Sequence, residues 1–307
     1  MKVVVTDWGF PSLEQERDIF ARQGIELEDH QCKTEEEVAA IVANADVVMA
    51  QWAPVKAKAI AAMKQCKGIV RYGIGLDNID LQAAKERGIA VRNVPDYCLN
   101  EVADHTMALL LALQRQITHV QSLVRSGKWS ITPPLVLPPL RECTLGLIGF
   151  GRIARLVTRR AQPFGMTTVA FDPYAEAKLF SEFNTRRIDP VTLFATADIL
   201  SLHSPLTDET RHIINSRNIA LMKPHALIVN TGRGGLVHTD ELVDALRQKR
   251  IAGAALAVLE MEPIGKEHSL LAMGNVIITS HNAWYSAASV GELQRLAALA
   301  AVELLKG

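Results

Sequence analysis

Short β-branched runs alternate with longer helical patterns along the whole chain. In the first third, KVVVTD is followed by the helix-like SLEQERDIFARQG, ADVVMA by KAKAIAAMKQCKG, and GIVRYG by LQAAKERG, before IAVRNV. Continuous apolar runs suit strands buried on both faces, and helices between them make such strands parallel. Up to about residue 98 the pattern predicts one small βα domain. A long helix follows over 100–126. Val102, Thr106, Leu109, Leu113, Ile117, Val120 and Val124 recur at three- and four-residue steps. Asn100 reads as its N-cap, with Glu101 and Asp104 in the first turn, and Arg125 and Gly127 mark its other end.

TPPLVLPPL comes next, four prolines in nine residues. This predicts a stiff, non-helical connector between domains. A second alternating series starts at Thr144. Its strand candidates are TLGLIG, TTVAFD, DILSLH, ALIVN, GAALAVL and NVIITS, with helices such as RIARLVTRRAQPFG and DELVDALRQKR between some of them. Six strands fit a doubly wound nucleotide-binding sheet. The final ELQRLAALAAVELLKG is an amphipathic helix, placed to pack back on the first domain and make it discontinuous in sequence.

Composition narrows the function. The 307 residues suit two domains, and 49% hydrophobic with 21% charged residues is globular. A formal net charge of zero argues against a nucleic-acid partner, which needs excess Lys and Arg. Cys32, Cys66, Cys98 and Cys143 are scattered without a CxxC pair, so neither a metal site nor a disulfide framework is expected. The N-terminal run lacks a signal-peptide pattern, and no apolar stretch is long and charge-free enough for a bilayer. A cytoplasmic location is the expectation.

TLGLIGFGRIARLV carries Gly149, Gly151 and Ala154 as GxGxxA between a strand and a helix. The first glycine permits a tight turn, the second lets a pyrophosphate approach the backbone, and the alanine allows close helix–strand packing. The helix N-terminus adds N–H groups and partial positive charge. Asp172 ends the next strand, where an acid meets the adenosine ribose. Its carboxylate repels a 2′-phosphate, and Pro173 and Tyr174 supply no cation. NAD is therefore expected rather than NADP. Arg152 reads equally as a pyrophosphate contact and as a solvated arginine.

Three chemically able residues follow strands of this second series: Arg233 after ALIVNTG, Glu262 after GAALAVLEM and His281 after NVIITS. Taken singly, each reads as a solvated or loop residue. Ligands of open α/β sheets bind outside the carboxyl ends of the strands, so together they are expected to converge on one pocket.

GRIARLV…FDPY, NTGRGGLV, LEMEP and HNAW, with RYGIGLDNID and LHSPLTDETRHIIN, resemble the D-isomer-specific 2-hydroxyacid dehydrogenases over nearly the whole chain. VRYGIGLDNID, NVPDYCLNEVADHT and HNAWYS resemble most the branch that holds C-terminal-binding proteins and phosphoglycerate dehydrogenase-like enzymes. The resemblance implies an α/β fold with a Rossmann NAD-binding domain, residues 99–283, inserted in a smaller flavodoxin-like substrate domain, residues 1–98 and 284–307. It implies His281 as acid/base, Glu262 as its carboxylate partner and Arg233 as substrate clamp. It places Ile74 and Gly75 at the substrate carboxylate, and Arg71 and Trp284 beside the substrate. Arg71 reads alternatively as a strand-end salt bridge, and Trp284 as ordinary packing. Arg152 and Ile153 join the cofactor set, as do His203, Pro205 and Thr231, largely through their backbone. A homodimer is implied, with the long helix and the proline segment as interface. Burial within one chain explains the helix's apolar face equally well.

The chemistry needs these residue types. Reducing a 2-oxo acid puts hydride on C2 and a proton on its oxygen. A histidine holds that proton near neutral pH, a carboxylate beside it favours the imidazolium, and arginine forks onto a carboxylate. The chain departs from the family at Ala257, where LDVxExEP has an aspartate implied to accept from the nicotinamide carboxamide. Losing that bond costs about 1.5–3 kcal/mol. Ser280, where proline is common, is a milder departure. Two other functions fit: an NAD(H)-sensing, corepressor-like protein with vestigial activity, and a 3-phosphoglycerate dehydrogenase. For the latter, only Lys56 and Lys58 offer a phosphate site, and no C-terminal regulatory domain is expected after the last helix.

Overall fold

The computed structural model describes residues 1–306. The chain forms two compact units, one of Met1–Cys98 with the C-terminal segment from Tyr285, the other of Leu99–Trp284.

The first unit is a five-stranded parallel sheet of β1 (Lys2–Val5), β2 (Glu26–Asp29), β3 (Val47–Ala50), β4 (Gly68–Arg71) and β5 (Ala90–Asn93), in the order β2-β1-β3-β4-β5. This is the flavodoxin-like order. The three central strands are almost wholly buried, as their unbroken apolar runs require. The edges β2 and β5 bury none of their residues and carry charged side chains. Val38, Val48, Ile60, Met63 and Ile69 fill one face. The helix Ala287–Lys306 covers β3 and β4 and packs on the helix Glu14–Ala21. It lies close: a Cβ on Gly68 would come within 2.5 Å of Leu304 Cδ1.

Between those two helices lies a buried polar knot. Gln294 Nε2 donates to Glu16 Oε2 (2.9 Å) and Ser12 O (2.8 Å), and the Tyr72 hydroxyl donates to Glu16 Oε1 (3.1 Å). Burial raises the Glu16 pKa, and these donors only partly offset it.

The second unit is a seven-stranded parallel sheet: β6 (Thr144–Ile148), β7 (Thr167–Phe171), β8 (Arg186–Arg187), β9 (Ile199–Leu202), β10 (Leu227–Asn230), β11 (Gly253–Leu256) and β12 (Val276–Ile278). The order β12-β11-β10-β9-β6-β7-β8 places the doubly wound switch between β6 and β9. Six strands coincide with the apolar runs. The seventh, β8, is two exposed arginines on the sheet edge and carries no apolar signal.

The long helix departs from its expected course. It starts at Leu99 and stops at Gln114, and a separate helix spans Ile117–Arg125. The break is at Gln116, in a left-handed conformation (φ 54°). Its side chain pairs with both backbone groups of Leu135, through Nε2 to O (2.7 Å) and N to Oε1 (2.9 Å). Gln114 Nε2 donates to Pro138 O (2.7 Å). Two glutamines thus dock the proline segment at the cost of one helical turn. Asn100 lies inside the helix rather than capping it, and its Oδ1 accepts from Arg160 Nη2 (3.0 Å). No helix among the described residues is long and apolar enough to cross a membrane.

Gln294→Leu removes the Gln294 amide bonds to Glu16 and leaves only the Tyr72 hydroxyl as a side-chain donor. We expect a loss of about 1–3 kcal/mol at neutral pH, measured by chemical denaturation. A carboxyl with a raised folded pKa is best tolerated protonated, so its cost falls away as the pH drops through that pKa. The deficit of the variant therefore shrinks at acid pH.

Candidate active site

The glycine turn after β6 is shaped by close backbone approach. Gly149 has φ 85°, and a Cβ there would lie 2.8 Å from His203 C and Ser204 N. Its N–H donates to Phe171 O (2.9 Å), tying the turn to β7. Gly151 ends the turn as the residue before the helix Arg152–Ala161. A Cβ at Gly151 would meet nothing within 4 Å. Packing therefore explains glycine at 149 but not at 151, where the open space and the helix N-terminus suit a phosphate. Ala154 is fully buried. Arg152 and Ile153 lie on the first turn of that helix.

Asp172 stands at the end of β7. Its Oδ2 accepts from Phe150 N (2.7 Å), and its Oδ1 from Tyr174 N (2.8 Å) and Ala175 N (3.0 Å). The carboxylate builds the turn and joins it to the glycine loop. A carboxylate has about four acceptor sites, so these three bonds leave room for one ribose hydroxyl. Arg187 Nη2 donates to Pro173 O (3.2 Å). This cation beside Asp172 was invisible in the local sequence, because it comes from the next strand.

His203 ends β9. Its Nε2 pairs with Ser201 Oγ (2.8 Å), and burial pushes its pKa down to about 4, so it is neutral at physiological pH. The Pro205 carbonyl accepts from Thr210 Oγ1 (2.7 Å). The Thr231 and Thr106 hydroxyls are 2.8 Å apart, and Thr106 Oγ1 also donates to Val102 O (2.7 Å), so Thr231 is the donor between them.

The loops after β10, β11 and β12 bring together Arg233, Glu262 and His281. Asn230, fully buried, shapes the first of them: its Oδ1 accepts from Gly232 N (3.0 Å) and its Nδ2 donates to Arg233 O (2.9 Å). Ala257, just past β11, is also fully buried. Its N–H donates to Asn230 O and its carbonyl accepts from His281 N, both at 2.9 Å. His281 adopts φ 55° and turns its Nδ1 onto Glu262 Oε2 at 2.7 Å. Glu262 Oε1 accepts from Leu259 N (2.8 Å). Burial alone would raise the Glu262 pKa, but hydrogen bonds from His281 and Leu259 and the charge of Arg233 hold it below the usual carboxylate range. A fixed anion on Nδ1 leaves proton transfer to the other ring nitrogen, Nε2.

Arg71, Ile74 and Gly75 lie in the first unit, at the end of β4 and in the loop after it. Arg71 is 9% exposed, folds back over Gly73 and sits 5.4 Å from the Trp52 ring centroid. Trp284 is the last residue of the second unit. Lys56 Nζ donates to Asp77 O (2.7 Å) and Lys58 Nζ to Glu36 Oε1 (3.1 Å), so both lysines already serve the fold. No group of three or more metal-ligating side chains is present among the described residues.

A doubly wound sheet with an open glycine turn at its switch point, and a paired histidine and glutamate at neighbouring strand ends, defines the class of dinucleotide-dependent proteins. Residues 107–283 match the family described as D-isomer specific 2-hydroxyacid dehydrogenase, NAD binding domain. The chain is 39% identical over 308 residues to a D-3-phosphoglycerate dehydrogenase of Methanocaldococcus jannaschii, covering 100% of this chain and 57% of that protein. It is 41% identical over 271 residues to a hydroxypyruvate reductase of Thermotoga maritima, covering 87% of this chain and 86% of the relative. The structure of a D-lactate dehydrogenase from Aquifex aeolicus complexed with NAD and lactic acid superposes with a TM-score of 0.90, at 27% identity, over 99% of this chain and 96% of that one. The chain belongs to the D-isomer-specific 2-hydroxyacid dehydrogenase family and carries its NAD-binding domain. It spans little more than half the length of the Methanocaldococcus relative.

Two glycine variants separate packing from ligand approach. Gly151→Ala is expected to leave the melting temperature of the free protein unchanged and to weaken NADH binding about tenfold or more, read by NADH fluorescence titration. Gly149→Ala should lower both, because its methyl meets backbone.

Proposed function

We propose that the protein is an NAD-dependent oxidoreductase that interconverts a D-2-hydroxy acid and its 2-oxo acid. The observation that carries this is the 2.7 Å pairing of His281 Nδ1 with Glu262, one strand end from Arg233. NADH, when bound, supplies the hydride that C2 receives. His281 gives the proton from Nε2 to the oxygen on C2, and takes it back in the oxidising direction. Glu262 remains ionised, stabilises the imidazolium and holds its tautomer. Arg233 forks onto the substrate carboxylate and polarises the adjacent carbonyl. In the first unit, the Arg71 cation and the backbone N–H groups of Ile74 and Gly75 form an anion-recognising group suited to a carboxylate. Trp284 supplies an apolar contact. Gly149, Gly151, Arg152, Ile153, Asp172, His203, Pro205 and Thr231 form the cofactor set. The Ala257 methyl offers no acceptor to a carboxamide, so nicotinamide orientation rests on neighbouring backbone.

The test is NADH oxidation with a panel of 2-oxo acids, together with NAD reduction by 3-phosphoglycerate. Turnover of a 2-oxo acid is expected, and His281→Ala should reduce it about 10²–10⁴-fold. Tight NADH binding without turnover of any panel member would instead identify an NAD(H)-sensing protein.

We further infer a homodimer in the cytoplasm, where the four free thiols stay reduced. The helix Ile117–Arg125 buries none of its residues, and the segment after it exposes Trp129 (84%), Ile131 (95%) and Val136 (91%). So many exposed large apolar side chains in one segment favour an interface. Light scattering is expected to give twice the chain mass, and Trp129→Glu with Ile131→Glu should return a monomer. A wild-type monomer at micromolar concentration would refute the interface.

A further inference from the structure

The turn that presents Glu262 is not held by its own packing. Met261 is 78% exposed, and only Leu259 and Ile264 at its two ends touch the apolar core. Yet a productive acid/base geometry holds Glu262 against His281 to within about 0.5 Å. Beyond those ends and the bonds of Glu262, the turn is tied down by its other carboxylate, Glu260. Glu260 Oε1 pairs with His212 Nε2 at 2.6 Å. Its Oε2 accepts from Thr239 N at 2.7 Å, one of the unsatisfied amides at the start of the helix Thr239–Arg247. One carboxylate thus joins three segments: the turn, the loop after β9 and a helix N-terminus.

Each partner is fixed in its turn. His212 adopts φ 54° and its N–H donates to Gly235 O (2.8 Å). Its ring lies 4.7 Å from that of His238. His238 N donates to Ile214 O (2.8 Å), and Ile214 N to Leu236 O (2.9 Å). The titratable groups facing the clamp are His212 from its loop, and His238 and Glu241 from the start of the helix; His238 Nε2 is 3.6 Å from Glu241. Burial would raise the Glu260 pKa, but the hydrogen bonds from Thr239 and His212 outweigh it and keep the group ionised.

The turn also bears directly on Arg233. A Cβ on Gly234 would fall 1.9 Å from Leu259 C and O and 2.5 Å from Glu260 N. The backbones of the Arg233 loop and of the turn are therefore in contact, and a shift of the turn moves the surroundings of Arg233 and Glu262 together.

We propose that Glu260 and His212 are positioning residues, a clamp outside the site that keeps Glu262 on His281 and the turn against the Arg233 loop. The proposal rests on the reading of His281 and Glu262 as the acid/base pair. A misplacement of about 1 Å costs up to about 100-fold in rate.

The experiment compares wild type with Glu260→Ala, Glu260→Gln, His212→Ala and His212→Gln in the full chain. Measured are kcat, KM and the pH profile of 2-oxo acid reduction, and NADH affinity. Glu260→Ala is expected to lower kcat about 10- to 100-fold with NADH affinity within about twofold. It should also move the alkaline limb of the profile to lower pH, because His281 loses the anion that favours its protonated form. Glu260→Gln keeps an acceptor for Thr239, and His212→Gln keeps a donor for Glu260, so each should recover part of the loss of the matching alanine variant. A Glu260→Ala enzyme with the wild-type kcat and pH profile, even if less stable, overturns the proposal. If that variant does not fold, the His212 pair decides in the same way. If the wild type has no turnover, the functional reading fails separately. The titration of the His281 ring, followed by NMR in wild type and in each variant, then tests the clamp: a shift supports it and an unchanged midpoint refutes it.

Discussion

Two backbone hydrogen bonds at Ala257 hold the chemistry of the second unit in register. Ala257 N–H reaches Asn230 O, and its carbonyl receives His281 N–H. They prolong the parallel ladder in which Asn230 stands opposite Leu256 and Leu256 opposite Ile278. Because these strands end at one level, the loops that leave them start side by side. Arg233, Glu262 and His281 then need only short excursions to share one edge. A residue with a methyl side chain can hold this position because its backbone does the work.

Negative charge in the protein is managed by backbone amides as much as by cations. Asp172 accepts three of them, Glu260 accepts Thr239 N and Glu262 accepts Leu259 N. Such bonds stabilise the ionised form and fix the direction of the carboxylate at once. Glu16 is the counter-example. Its burial outweighs the bonds from its own backbone, Gln294 and Tyr72, and its pKa rises. The contrast separates Glu260 and Glu262, which are held ionised, from a carboxylate that serves packing.

The strands and the cofactor turn were legible because their signals are local. Unbroken apolar runs mark strands covered on both faces, and GxGxxA encodes its own geometry: Gly149 has no room for a side chain, and Gly151 leaves room for a ligand. The edge strands β2 and β8 were not legible: β2 carries three acids and one leucine, and Arg186 and Arg187 owe their conformation to pairing with Val169 and Ala170. The helix break at Gln116 was hidden for a related reason. Apolar periodicity runs straight through it, and the break is stabilised by side-chain bonds to Leu135, 19 residues away. Asn100 has the chemistry of a cap, yet Arg160 claims its side chain.

The sequence by itself determined the parallel α/β architecture, the dinucleotide turn and the three residue types that a 2-hydroxyacid dehydrogenase needs. These follow from hydrophobic period, from glycine sterics and from residue chemistry, each expressed over a few neighbouring positions. The family resemblance named Glu262 as the partner of His281, but only the tertiary structure decided that Glu260 pairs with His212 and that Arg187 stands beside Asp172. Two glutamates spaced by one residue are alike in sequence. Their roles diverge because the turn directs one toward His281 after β12, 19 residues away, and the other toward His212 in the loop after β9, 48 residues away.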